Sequence, residues 1–472
     1  MKQQLQHLTI VLAVLATTSQ LHSAQDYRED IIFAKRGDRE LKLDIALPAG
    51  EAKLRPTIVC IHGGGWRAGS RFDYRNQIRE FAGKGYVAAT VSYRLTDVAA
   101  WPAQIEDVQA AISFLVKNAD DYRIDPERMG VLGASAGGHL SLMAGFWPAE
   151  SDNSHRIRSI VNYFGPTDLV NAKNRERLRG YLEPLIGAKL EKKPEGLKAI
   201  SPVTYLDRTD APVLTFHGTD DNLVLFNQAE VLHAALKKTQ IPATLFPMEG
   251  VGHGIGGDAA KRNATQDAFL KAYLTGGDLP LVAHEDFDKD SSRWQPTDKD
   301  AWKVATSGSR SVYSLVKKRS DYEPKVRSPY NYSLLKDVQV SDFVLDVDLK
   351  STHEPYGHQD LCLFFGYQDA SHFYYVHIGR KADAHANSIF LVNDEPRVSI
   401  AKERTGGTDW SRGWHRARIK RDSKSGLIEV YFDDMQKPIM KTVNKEFPTG
   451  QIGIGSFDDT GDFDAIRLWG RK

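Results

Sequence analysis

Cysteine is nearly absent: two in 472 residues, Cys60 and Cys362, are too few for a disulfide framework. Cys60 sits inside the apolar run "PTIVCIH", where a thiol behaves as a small buried hydrophobe, and both cysteines are expected as free thiols. Surplus charge is absent too. Lys and Arg number 62 against 61 Asp and Glu, a formal net charge of +1, which argues against a phosphate-reading nucleic-acid surface. Long apolar runs are missing except for "LTIVLAVLA" near the N-terminus, which has the length of a signal-peptide core and is too short to span a bilayer. Lys2 precedes it, and Ser23 and Ala24 offer a cleavage point, so residues 1–24 are expected to be a signal peptide rather than a short buried helix. The mature chain is then secreted or periplasmic, with no membrane span after cleavage. No cysteine follows the apolar core, which argues against a lipid anchor.

What is present alternates. From about residue 28 to 276, short runs such as "LKLDIALP", "TIVCIHG", "YVAATVSYR", "MGVLGAS", "SIVNYFG", "PVLTFHG" and "ATLFPMEG" read as strands. Between them "YRNQIREFAGKG", "PAQIEDVQAAISFLVKNAD" and "NQAEVLHAALKKT" have helical spacing. Strand–helix alternation implies a mostly parallel, doubly wound α/β sheet covered on both faces. Residues about 170 to 200 interrupt the pattern with a mixed-charge helical excursion, either a lid over a pocket or a solvated helix pair. From about 283 onward, short alternating strands separated by turn residues predict an all-β sandwich. The expected division is 25–278 for the α/β domain and 283–472 for the β domain, joined near Gly276-Gly277.

The chemistry concentrates in the first part. In "GASAGGH", Ser135 lies between glycines two residues away on each side, which permits a strained strand-to-helix turn presenting Oγ at the sheet's carboxyl edge. Alone, such a segment is equally a turn in which Ser caps the helix. "HGGGW", His62–Trp66, follows a strand and lets backbone N–H groups approach a carbonyl oxygen; Gly64, Gly65 and Ala136 are the natural oxyanion donors. No Lys-Ser/Thr pair follows these glycines, so they do not form a phosphate loop. His62 is expected to hold its loop. Asp220 and Asp221 in "FHGTDDNLV" are both candidates for the acid, and His253, among the glycines of "GVGHGIGG", is the candidate base. His139 lies directly behind the serine, His217 ends a strand where it can tie down a loop, and His233 is in an ordinary helix. Asp107 is expected to pack or cap.

Taken in order, "HGGGW", "SYRL", "WPAQIEDVQAAISFL", "DPERMGVLGASAGGHL", "FGPTDL", "SPVTYL", "HGTDDNLV" and "GVGHG" resemble the esterases of the α/β-hydrolase superfamily, in the hormone-sensitive-lipase-like and carbohydrate-esterase-like branch. The resemblance spans roughly residues 28 to 276. It implies a Ser135–His253–Asp221 triad: in that branch the acid is the fourth residue after the His of the "HG" motif, here Asp221, with Val224 in register. The implied reaction is hydrolysis of a carboxylic ester through an acyl-enzyme, needing no metal or organic cofactor.

The β half resembles, through "EDFDKDSSRW" and "GQIGIGSFDDTGDFDAIRLWG", the concanavalin-like jelly-roll domains appended to secreted carbohydrate-active enzymes, including the keto-disaccharide hydrolase group. Its many aromatics, Trp294, Trp302, Tyr356, Tyr367, Tyr374, Tyr375, Trp410 and Trp414 among them, suit either a sandwich core or a sugar-stacking platform. His353, His358 and Asp360 match no standard zinc spacing, and Asp286 with Asp464 is a speculative Ca²⁺ pair. The leading expectation is a secreted carbohydrate esterase removing acetyl or related acyl groups from an acylated polysaccharide or oligosaccharide. The alternatives are a prolyl-oligopeptidase-type peptidase, a general short-chain carboxylesterase or lipase with a glycan-binding module, and a binding module with an inactive hydrolase half.

Overall fold

The computed structural model describes residues 26–50, 54–147, 157–208, 210–308 and 310–471, so the expected signal peptide lies outside the described residues. The chain opens with an antiparallel hairpin, β1 (Asp26–Arg36) and β2 (Arg39–Leu47). It continues through β3 (Arg55–Ile61), α1 (Arg75–Gly83), β4 (Val87–Val91), α2 (Ala103–Lys117) and the single turn α3 (Ala119–Tyr122). Next come β5 (Ile124–Ala134), α4 (Ala136–Phe146) and β6 (Ile157–Tyr163), then α5 (Ala172–Ile186) and α6 (Pro194–Ala199). The unit closes with β7 (Val213–Gly218), α7 (Asn227–Thr239), β8 (Ala243–Met248) and α8 (Ala259–Leu274).

The eight strands form one sheet in the order β1-β2-β4-β3-β5-β6-β7-β8, parallel from β4 onward. Alternation along the central strands feeds two apolar layers. Val59, Ile61 and Val131 face α2 and α4, while Ile58, Cys60 and Leu132 face α1 and α8. This doubly wound arrangement sets the ends of β3, β5 and β7 along one edge, where such sheets bind ligands.

From residue 281 the chain forms antiparallel sheets of seven and nine strands. Leu345, Val347, Ala417, Ile419, Ile466 and Leu468 of the larger sheet share a buried core with Leu361, Leu363, Ile452 and Ile454 of the smaller. Trp294, Trp302 and Trp410 are buried here, and Tyr375, Phe364, Phe373 and Phe390 form a second buried layer on the outer face of the smaller sheet. Most of the aromatics therefore pack as core.

The outer face of the larger sheet is charged, and it is buried against the edge where the α/β strands begin. Arg467 reaches Asp125 of β5 through two bonds of 2.9 and 3.0 Å, and Arg128 holds the same carboxylate at 2.7 Å. Arg158 of β6 bonds Asp348 at 2.7 Å, and Tyr273 of α8 donates to Asp434 at 3.2 Å. Gly276, expected in a linker, is clamped: a Cβ there would lie 2.2 Å from the Trp469 ring.

Candidate active site

Strand β5 delivers Ser135 into a turn with φ 55° and ψ −119°, a left-handed conformation that non-glycine residues avoid. The turn survives because its neighbours are glycines packed at contact distance. A Cβ on Gly133 would lie 2.3 Å from the Gly137 carbonyl oxygen, and one on Gly137 would lie 2.0 Å from that of Ile61. The backbone is pinned on both sides, with Ser135 N–H donating to Tyr163 O at 2.8 Å and His139 N–H to Ser135 O at 2.9 Å. Helix α4 starts at the next residue, so its positive end points at the serine.

Three side chains from distant parts of the chain meet here. His253 Nε2 lies 3.0 Å from Ser135 Oγ, and its Nδ1 lies 2.8 Å from Asp221 Oδ2. Asp221 is buried while Ser135 and His253 are half-buried, so the string runs from the interior to an accessible hydroxyl. Burial alone would raise the Asp221 carboxyl. Hydrogen bonds from His217 and His253, with N–H donation from Leu223 at 2.8 Å, instead hold it well below the usual carboxylate range. Asp221 Oδ1 also accepts from Val224 N–H at 2.9 Å, which fixes its rotamer. Asp220, the other candidate acid, is exposed and contributes its backbone N–H to Val251 O. Phe164 packs edge-on against the His253 ring, with centroids 4.9 Å apart.

The glycine loop lies over the serine: a Cβ on Gly63 would sit 3.7 Å from Ser135 Cβ. Gly64 and Gly65 take φ values of +103° and +59°, and a side chain on either would collide with Ala68 O at 2.2 Å or the Tyr181 ring at 2.4 Å. Gly64 and Gly65, two of the expected donors, lie on this loop, and Ala136, the third, is the first residue of α4. His62 stacks on Tyr93 (4.2 Å between centroids), and Tyr93 OH donates to His62 O at 3.0 Å, so His62 holds the loop.

The other histidines are structural. His217 Nε2 lies 2.7 Å from Val224 O, tying down the acid loop. His139 is buried and accepts from Trp66 Nε1 on its Nδ1 at 3.2 Å, so its proton is on Nε2, which donates to Ile200 O at 2.7 Å. Burial lowers it to about 4, so the ring stays neutral. Asp107 is buried between Arg94 (2.7 Å) and Arg36 (3.2 Å).

The excursion at 170–200 is a cover. Helix α5 buries Asn174, Leu178, Leu182 and Leu185, and its Tyr181 ring, stacked by the Arg67 guanidinium at 4.2 Å, closes over Gly65. Tyr181, Phe164, Trp66 and His139 are the residues around this site that motif spacing alone does not assign to it. Helical repeat places Tyr181 in register with Asn174, Leu178 and Leu185, a stripe that the mixed charges of α5 obscure.

The speculative groups in the β half separate. Asp360 is buried and accepts from Phe457 N–H at 3.0 Å, while His353 turns to Glu354 O and His358 lies out near Asp383 at 3.7 Å. Asp464 is taken by Arg310 at 2.9 Å. A second Ser–His–Asp string, Ser411–His415–Asp433, with distances of 2.9 and 2.7 Å, is closed: Ser411's own N–H occupies His415 Nε2 at 3.0 Å, and His415 is buried.

The parallel-sheet part is α/β-hydrolase-like. Residues 43–236 match the BD-FAE family model. Esterase LipC of Mycobacterium tuberculosis is 30% identical over 219 residues, covering 43% of this chain and 53% of LipC. A probable isoprenylcysteine alpha-carbonyl methylesterase, ICMEL1 of Oryza sativa subsp. japonica, is 26% identical over 268 residues, covering 52% of this chain and 60% of the relative. The chain thus spans little more than half the length of these curated relatives. Among solved structures, a truncated carbohydrate esterase from gut microbiota is 27% identical, covering 52% of this chain and 95% of that one, with a TM-score of 0.46. Esterase Est2 of Thermogutta terrifontis is also 27% identical, covering 55% and 96%, with a TM-score of 0.46.

Proposed function

We propose that this chain is a serine carboxylic-ester hydrolase whose nucleophile is Ser135, base His253 and orienting acid Asp221. The observation that carries the reading is the continuous hydrogen-bonded string from Ser135 Oγ through His253 to buried Asp221, at 3.0 and 2.8 Å. Neutral His253 takes the Ser135 proton on Nε2 as Oγ attacks the ester carbonyl. Asp221 keeps the proton on Nδ1 beforehand and stabilises the imidazolium afterwards. The tetrahedral oxyanion sits against the N–H groups of Gly64, Gly65 and Ala136, and His253 then protonates the leaving alcohol. Water, activated by the same histidine, attacks the acyl-serine and releases the acid. The relatives named esterases support this class of reaction.

The substrate we propose is an acylated polysaccharide or oligosaccharide, carrying acetyl or a related acyl group, met after export of the chain. The ordered motifs shared with the carbohydrate-esterase-like branch and the antiparallel β part that follows support it. A release assay over acetylated and feruloylated polysaccharides, scored by free acid, tests this reading. Acid release by the native chain and none by Ser135→Ala is expected. Release from no polysaccharide, with brisk cleavage of short lipid esters, contradicts the carbohydrate assignment and leaves the esterase chemistry standing.

A further inference from the structure

A cleft of about 70 Å³ lies between the two halves, at the sheet edge opposite Ser135. Ile157, Pro212 and Pro242, where β6, β7 and β8 begin, form one wall, and Trp414, Arg416 and Asp433 of the β part form the other. Pockets at such junctions are common ligand sites.

The polar groups facing this cleft divide into those already committed and those left over. His415 Nδ1 pairs with Asp433 at 2.7 Å, Asp433 also accepts from Arg416 N–H at 3.0 Å, and Tyr273 donates to Asp434 at 3.2 Å. Asp348 accepts from three guanidinia, Arg310 at 3.2 Å as well as Arg158 at 2.7 Å and Arg416 at 3.0 Å, and Arg158 also bonds Glu127, so Arg158 and Arg416 are cations fixed in an ion-pair network. Each also lines the cleft. Burial, and after it the neighbouring Arg158, disfavours the charged form of Arg416, which Asp348 and Asp346 oppose. Arg208 pairs with Asp409 at 2.9 Å through Nη1, yet its Nε is buried with no hydrogen-bond partner. An orphaned guanidinium N–H is costly and marks an unmet acceptor.

We propose that this cleft binds a small carboxylate, seated against the orphaned Nε–H edge of the Arg208 guanidinium and the carboxyl of Asp210, with the fixed cations of Arg158 and Arg416 beside it. A planar carboxylate matches the fork of a guanidinium, which a spherical anion does not. Asp210 fits the same ligand. Burial pushes its carboxyl up to about 8, opposed by the 2.7 Å bond from Asp207 N–H, so at neutral pH it carries a proton to donate. The charged or titratable groups around Asp210 are Asp207 and Arg208 on its own segment, Arg158 on β6, Tyr273 on α8, and Arg416 with the His415–Asp433 pair across the cleft. Above about pH 8 Asp210 becomes an anion and repels the ligand.

Isothermal titration of the full chain with acetate, glucuronate, inorganic phosphate and glucose tests the site. Saturable binding of acetate or glucuronate is expected; acetate alone indicates a free acid, and tighter glucuronate indicates a sugar-borne carboxylate. Affinity should fall about tenfold for Arg208→Gln and about tenfold for the native chain on raising the pH one unit past the Asp210 titration. Asp210→Asn, neutral at every pH, should hold its affinity across that range. Arg208→Gln should keep native ester hydrolysis, which separates lost binding from misfolding and from failure of the esterase reading. No saturable binding, equal binding of glucose, preference for phosphate, or a pH-independent affinity in the native chain overturns the proposal.

Discussion

At Ser135 the backbone is strained and the side chain is not buried, a pairing that stability alone does not favour. The hydrogen bonds around it explain how each neighbour should behave when changed. Replacing Asp221 by Asn removes the acceptor that fixes the His253 tautomer, and kcat is expected to fall by about 10⁴-fold with the fold intact; stopped-flow assay of a chromogenic acetyl ester measures it. Because Asp221 is held far below the usual carboxylate range, it stays ionised through the acid limb of the pH–rate profile. Asp221 should therefore add no proton to that limb, and a two-proton slope would contradict this. His139 predicts a different signature. Its neutral ring joins Trp66 of the glycine loop to Ile200 beyond α6, so His139→Phe should lower kcat by about tenfold or more while KM barely moves.

Among the elements, the glycine loop and α5 are coupled by one contact. Gly65→Ala drives a methyl into Tyr181, and the added Tyr181→Ala removes the obstacle. The single variant should lose activity, and the double variant should recover part of it, the remainder reflecting the φ of +59° that alanine tolerates poorly. Kinetics on the two variants side by side reads this out. The elements legible in the sequence are those with strong alternation. "TIVCIHG" and "MGVLGAS" appear as strands because short apolar runs are buried on both faces of a parallel sheet, and "FVLDVDLK" because its apolar and acidic residues alternate at period two. Strand β1 was not legible, since "DYREDIIFAKR" is charged and largely exposed at the sheet edge. Helix α8 was missed for a related reason: its polar and apolar residues scatter, and its burial comes from the β part as well as from the sheet. Ser135 and His253 could be named as candidates because each sits on a glycine-rich segment, while Asp221 over Asp220 is what the family resemblance implies; Tyr181 and His139 act through contacts that sequence order does not record.

On the scale of the whole molecule, the two halves meet through buried charge. Asp125 serves Arg128 and Arg467 at once; burial opposes its ionisation, and the two guanidinia hold it well below the usual range. Asp125→Ala leaves two buried cations unpaired and should cost about 3–5 kcal/mol in chemical denaturation. A depressed carboxyl stabilises above its unfolded value of about 4, and that stability is lost as the pH falls toward its native value. The native chain should therefore weaken steeply on acidification below about pH 4, and Asp125→Asn should flatten that dependence. The contacts lie at the edge where β5 and β6 begin, opposite the serine, so cutting the chain after Gly277 should lower Tm more than it alters KM for a small ester.

The central claim, that ester hydrolysis proceeds through an acyl group on Ser135, is tested most directly by trapping that intermediate. The chain is mixed with an activated acetyl ester, quenched in acid within the first turnover, digested and sequenced by tandem mass spectrometry. The account requires the acetyl group on Ser135, accumulating in a burst because an activated ester acylates the serine faster than water releases the acid. Acetyl on another residue, or undiminished hydrolysis by Ser135→Ala, would contradict it.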